Sequence, residues 1–332
     1  LLAAALAGGI VAFGVQRGIE RANKVLLPLL FGLLFLLAGY ALTLPGSGKG
    51  VSYLFSVRLP DLANPRVWLA AFSQSAWSTG AGWGLLLTYA VYTRQREDIN
   101  LNVLTIGIGN NFASILAGLA VIPTVFALAA EPARVLAAGN EGLSFIWFPR
   151  LLRELPAGRL FAIGFFAALS AAALSSLISM LELGVRVLGD WGVPRAKASL
   201  LVAALVFSAG LPSALFPKFL KNQDWAWGLA LLLSGAFFVW AAAREGFGRV
   251  VAAANEVSDV RFPPRLFKVL LGLIPLELVA MLSWWLWQAL SWERAWWNPL
   301  ATFSVGTVFA QWALVLLALW GLNKWALSGR AH

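Results

Sequence analysis

The sequence predicts an all-α integral membrane protein, a bundle of about nine transmembrane helices of which one is broken. Three observations predict it. The 332 residues are 60% hydrophobic and only 12% charged. The charges divide the chain into uncharged runs, and a bilayer core about 30 Å thick needs roughly 20 apolar residues to cross. One long run, Val67 to Tyr92, carries at its middle the small, polar and glycine-rich patch SQSAWSTGAGWG.

The runs follow in order. Leu1 to Val15 is shorter than a usual span, and Val25 to Leu44 and Val67 to Tyr92 are full length. Then come Leu101 to Ala130, Leu160 to Leu181, Ala198 to Phe216, Trp225 to Ala243, Val269 to Trp292 and Trp296 to Asn323. Most connections are short. Glu131 to Arg159 is longer, and its apolar piece LSFIWF with prolines at 132, 149 and 156 fits a short helical hairpin folded back on the bundle. In Arg244 to Lys268, Phe262-Pro263-Pro264 is expected to stop any helix before the next span, because proline lacks an N–H and restricts its predecessor. Trp284, Trp285, Trp287, Trp292, Trp296 and Trp297 cluster at one end of a run and read as an interfacial aromatic belt. No initiating methionine precedes the short first run, so the chain is expected to be the C-terminal part of a longer protein. The run is not expected to be a signal peptide.

Net charge is +10, and its distribution carries the meaning. With successive loops on alternate sides, fifteen of the 25 Lys and Arg fall on one side and ten on the other. The richer side, which includes Arg94, Arg96, Lys324 and Arg330, is assigned to the cytoplasm. The basic excess is then a topology signal, and no nucleic-acid partner is expected. Cysteine is absent and the one histidine is the terminal His332, which removes thiol nucleophiles, disulfides, histidine bases and Cys/His metal sites. With no acid pair or histidine cluster in addition, an enzyme is not expected.

The patch in Val67 to Tyr92 has two physical readings. Small residues allow close helix packing in a membrane. Alternatively, Gly80, Gly82 and Gly84, each less favourable than alanine by up to about 1 kcal/mol in a helix, let the span unwind where its freed backbone groups face a ligand or cavity. Trp77 and Trp83 flank the glycines, and aromatic walls with polar groups between them suit a pocket better than tight packing. On the next run Asn110 and Ser114 lie one turn apart, as do Gln74 and Ser78. These neutral side chains suit a monovalent cation, an anion or an interhelical hydrogen-bond network, and argue against a divalent ion. A third patch, AALSSLISM, places Ser175, Ser176 and Ser179 mid-run, where hydroxyls either bond back to their own helix or join carbonyls around a sodium ion. Glu182 and Glu277 are the acids well inside runs, and no role is assigned to either.

WLAAFSQSAWSTGAGWGLLLTYAVY, a short charged loop and LNVLTIGIGNNFASILAG together resemble the sixth and seventh helices of the neurotransmitter:sodium symporters, the family that includes the bacterial leucine transporter. AALSSLISMLELGVRVLGD resembles the eighth helix, QRGIERANKVLLPLLF the junction of the fourth and fifth, and NQDWAWG the start of the tenth. The resemblance covers essentially the whole chain. It implies a leucine-transporter-type inverted-repeat bundle, here helices four to twelve in one domain over residues 1–332. That family is itself a reference case for broken helices binding ions and substrate at the midplane.

Position by position, the resemblance implies that Ser78 and Asn110 serve one sodium ion. Ala172 through its carbonyl, with Ser175 and Ser176, serves a second. Trp77, Gly80, Trp83, Ser176 and Ser179 line the substrate pocket, and Gln74, Ser78, Asn110 and Ser114 match the chloride set. Asp224 matches the outer gate, and Asp190 and Tyr92 the inner one. Tryptophans where phenylalanine is common, and Gly80 where serine is common, leave the substrate's identity open. The family's first three helices have no counterpart here, and the first supplies half the sodium ligands. The implied function is a sodium-coupled symporter, chloride-dependent, for an amino acid or related amine-bearing solute. The alternative is a non-transporting receptor or scaffold, or an inactive truncated product of the same fold. Expected partners are the solute, the bilayer of a bacterial inner membrane with the C-terminus cytoplasmic, and a second copy of the chain.

Overall fold

The computed structural model describes residues 2–80, 82–93 and 96–328, the last four by backbone alone. Ala81 of the patch, and Leu1, Arg94, Arg330 and His332, lie outside the described residues. The helices are α1 Leu2–Ala12, α2 Glu20–Thr43, α3 Ser47–Phe55, α4 Leu59–Leu62, α5 Pro65–Thr79, α6 Leu85–Ala90, α7 Ile99–Leu128, α8 Pro132–Leu136, α9 Gly139–Glu141, α10 Phe148–Leu152, α11 Gly158–Asp190, α12 Arg195–Leu215, α13 Pro217–Glu245, α14 Phe247–Glu256, α15 Pro264–Trp292 and α16 Val305–Ser328. Among the described residues, seven helical segments are long and apolar enough to cross a membrane, and α1 is a shorter apolar helix. With the interrupted pair α5 and α6, these account for the nine runs of the sequence. The protein is an integral membrane protein.

Proline opens α5, α13 and α15, where its fixed φ suits the first turn and its missing N–H leaves nothing unpaired. The chain divides into two compact units, residues 1–64 with 104–206, and residues 65–103 with 207–332. In the first unit α2 packs along α11, and Leu37, Ala38, Leu116 and Ala120 are buried among Phe31, Phe161 and Phe165. The Tyr40 and Phe161 rings stack at 3.9 Å. The connection 131–159 folds into short helices, a hairpin-like cap as expected. Its Val135, Phe148, Leu151, Leu152 and Leu155 bury against Leu44 and Val125.

Glu182 is fully buried on α11 and receives both guanidinium ends of Arg195, at 3.1 and 2.5 Å. The same guanidinium donates to the carbonyl of Val11 at 3.2 and 3.0 Å, so one arginine ties α1, α11 and α12. This gives Glu182 a structural partner from a different helix, which helical spacing along one run does not reveal.

In the second unit α13, α15 and α16 enclose Trp225, Ala226, Leu229, Leu278, Met281, Ala289 and Val308. The rings of Trp285 and Trp292 lie 6.2 and 5.0 Å from that of Trp225, and Trp287, Trp292, Trp296 and Trp297 are exposed. The helix α14 stops at Glu256, and α15 begins at Pro264, as the prolines require. Between them the chain is knotted to the start of α7. Asn100 bonds Ser258, Asn255 and the carbonyl of Val260, and Asn255 bonds the main chain of Phe262 in both directions. Asp98 caps α7 through the N–H of Leu101 and accepts the N–H of Asp259, each at 2.8 Å. The bond from Leu101, with that from Asp259, holds its carboxyl below the usual carboxylate pKa against a smaller opposing effect of desolvation.

Candidate functional site

Helix α5 ends at Thr79 and α6 starts at Leu85, so the glycine patch is unwound, the second of the two readings. Gly80, Gly82 and Gly84 take φ of 70°, 79° and 76°, left-handed values that a side chain opposes by roughly 1–2 kcal/mol per residue. On the α5 side Ser78 and Thr79 turn their hydroxyls back to the carbonyl of Ser75, at 3.4 and 2.7 Å. On the α6 side the hydroxyl and the N–H of Thr88 both bond the carbonyl of Gly84.

Close packing operates as well, against α13. A Cβ at Gly82 would lie 2.7 Å from the carbonyl oxygen of Leu231 and 2.8 Å from the nitrogen of Gly235. A Cβ at Gly228 would lie 2.7 Å from Cζ2 of Trp77. Ser234 donates its hydroxyl to the carbonyl of Gly82 at 2.6 Å. Trp77 and Trp83 meet edge to face, with centroids 5.6 Å apart. With Asp224, Trp227, Gly228 and Ser234 they line a cavity of about 420 Å³. The expected pocket walls Trp77 and Trp83, and the expected gate residue Asp224, are thus brought together. The residues of α13 beside them were not foreseen. Their signal was present in GLALLLSG, where Gly228 and Gly235 stand seven apart, two helical turns on one face.

The first unit holds Asn110, Ser114, Ala172, Ser175, Ser176, Ser179 and Asp190. Helix α11 runs unbroken through the serine patch. Ser175 donates to the carbonyl of Ala172 at 2.9 Å, and Ser179 to that of Ser175 at 3.2 Å, so the back-bonding arrangement is present. Ala172, Ser175 and Ser179 are half-buried and Ser176 is exposed. Hydroxyl and carbonyl oxygens keep lone pairs after such bonds, so this stripe of neutral oxygens has the chemistry to coordinate sodium. On α7, Ser114 donates to the carbonyl of Asn110 at 2.9 Å, and Asn110 is half-buried. Gln74 and Ser78 are exposed on α5 in the second unit. Asp190, exposed, pairs with half-buried Arg186 one turn earlier at 2.6 Å, and Tyr92 is exposed after α6. Glu277 is half-buried on α15.

Comparison with known proteins matches residues 1–325 to the sodium:neurotransmitter symporter family. An uncharacterised sodium-dependent transporter of Methanocaldococcus jannaschii is 39% identical over 201 residues, 59% of this chain and 41% of that protein. A sodium- and chloride-dependent GABA transporter of Drosophila melanogaster is 29% identical over 168 residues, 50% of this chain and 18% of that one. The crystal structure of MhsT in complex with L-phenylalanine superposes with a TM-score of 0.70 at 30% identity, over 84% of this chain and 66% of that one. The chain spans less than half the length of curated relatives that it matches.

Proposed function

Because the chain belongs to the sodium:neurotransmitter symporter family, we propose that it is part of a sodium-coupled symporter for an amino acid or related amine-bearing solute. The observation that carries this reading is the unwound segment between α5 and α6, walled by Trp77 and Trp83 and facing Asp224 across one cavity. In a bilayer, irregular backbone persists only where protein or a water-filled cavity satisfies it. Trp77, Gly80 and Trp83, with Ser176 and Ser179, contact the solute. Its amine and any aromatic side chain suit tryptophan faces and neutral polar groups. The complex of MhsT with L-phenylalanine supports an amino acid as the solute class.

Ser78 and Asn110 serve one sodium ion, and Ala172, Ser175 and Ser176 a second, by correspondence with the family. Gln74, Ser78, Asn110 and Ser114 serve chloride, a reading supported by the chloride-dependent relative. Asp224 acts at the outer gate, and Asp190 and Tyr92 at the inner one. Residues 1–332 work as one transporter domain. Sodium and solute bind the outward-open state and favour its closure, and rocking of the segment bearing α5 and α6 opens the inner side. Only differential affinity for the two states can drive that cycle. A homodimer in a bacterial inner membrane, with the C-terminus cytoplasmic, completes the proposal.

The test is uptake of radiolabelled amino acids by the full-length protein in proteoliposomes. Uptake that requires an inward sodium gradient supports the reading. Binding without uptake favours the receptor or scaffold alternative. Replacing chloride by gluconate is expected to abolish uptake, and unchanged uptake would exclude the chloride assignment alone.

A further inference from the structure

Several hydroxyls in the membrane helices of this chain satisfy themselves locally. Thr79, Thr88, Ser114, Thr124, Ser175 and Ser179 each donate to a carbonyl three or four residues earlier in the same stretch. Ser234 departs from that pattern. From mid-α13 it reaches out of its helix and donates at 2.6 Å to the carbonyl of Gly82, in the unwound segment.

A hydroxyl has one proton to give. Here it goes to a carbonyl that lost its helical partner when the span unwound, and an unsatisfied carbonyl at this depth would pull the segment back toward a helix. The surrounding backbone shows how little slack there is. Gly82 approaches the main chain of Leu231 and Gly235 so closely that no Cβ fits, and the ring of Trp77 rests on Gly228. Positions 228, 231 and 235 follow a single face of α13, so one helix carries the break, one tryptophan and the bond that fixes both.

We propose that Ser234 is a positioning residue for the substrate pocket. By holding the Gly82 carbonyl it keeps the segment unwound before any ligand arrives and sets where Trp77 and Trp83 stand. The solute then binds a preformed wall and does not have to drive the unwinding, which raises its apparent affinity. This inference rests on the symporter reading above.

The test uses the full-length protein with Ser234→Ala, Ser234→Thr and a control, Ser291→Ala, whose hydroxyl bonds back within α15. Sodium-driven uptake is measured for a panel of amino acids of graded side-chain size. S234A is expected to raise KM about ten-fold, the loss of one hydrogen bond to a partly buried carbonyl, with maximal velocity within about two-fold. It should also change the ranking across the panel. S234T, which keeps the hydroxyl, should restore KM to within about two-fold, and S291A should change nothing. A monodisperse S234A protein with wild-type KM and ranking overturns the proposal. Should S234A fail to fold, Ser234→Cys keeps the volume, weakens the donor and carries the same readout. If the wild-type protein transports nothing on the panel, the symporter reading fails, and hydrogen exchange of residues 77–85 decides the clamp separately. Faster exchange in S234A than in S291A supports it, and equal exchange contradicts it.

Discussion

Two stretches of this protein have similar composition and opposite structure. SQSAWSTGAGWG and AALSSLISM are both mid-span patches of small and hydroxyl-bearing residues, yet the first is unwound at Gly80 and from Gly82 to Gly84, and the second is continuous α-helix. Polarity does not separate them, since Ser175 and Ser179 turn their hydroxyls onto their own helix. Glycine does. Three left-handed residues in five end the helix, and α13 offers the broken segment a main-chain surface and a donor. The lesson is that a membrane helix breaks where a neighbour can receive the break. Polar content alone leaves the helix whole.

That contrast can be probed by substitution. On the continuous helix the largest stability effect belongs to the ion pair beyond the serines. Arg195→Ala strands fully buried Glu182, and the unfolding midpoint in detergent should fall by the equivalent of about 3–5 kcal/mol. Gly82→Ala comes next, at about 2–4 kcal/mol, because it adds a side chain in a left-handed position and drives it into the Leu231 carbonyl. A thermal shift near zero would show that the break is looser than its packing implies. Ser175→Ala should change stability by less than about 1 kcal/mol, since its lost bond is local. Under the proposed function it should nonetheless weaken the sodium dependence of uptake several-fold.

The smallest effect lies at the knot before α7. The carboxyl of Asp98 has a pKa lowered by its backbone bonds, so its contribution is present at pH above the unfolded value, about 3.9. The contribution fades as pH falls through the lower folded value. Asp98→Asn should therefore flatten the stability profile at pH below about 4 and leave it parallel to wild type at neutrality. A gap between wild type and Asp98→Asn that widens as pH falls below about 4 would have the wrong sign for this assignment.

Much of the fold was legible because apolar run length and proline placement are local signals. Pro217 and Pro264 open helices, the helix before Pro263-Pro264 stops at Glu256, and the interrupted span falls on the glycines. The site was legible on α5, where Trp77 and Trp83 stand on either side of the break. What stayed hidden depends on partners far apart in sequence. Arg195 to Val11, Asn100 to Ser258 and Ser234 to Gly82 leave no periodic trace in any one run.

The most direct measurement is sodium-gradient-driven amino acid uptake by the full-length protein in proteoliposomes, wild type beside Trp83→Ala. The account predicts uptake that stops without sodium and a KM raised at least about ten-fold by the loss of one aromatic wall. Wild-type uptake indifferent to sodium, or a Trp83→Ala protein with unaltered KM, would contradict it.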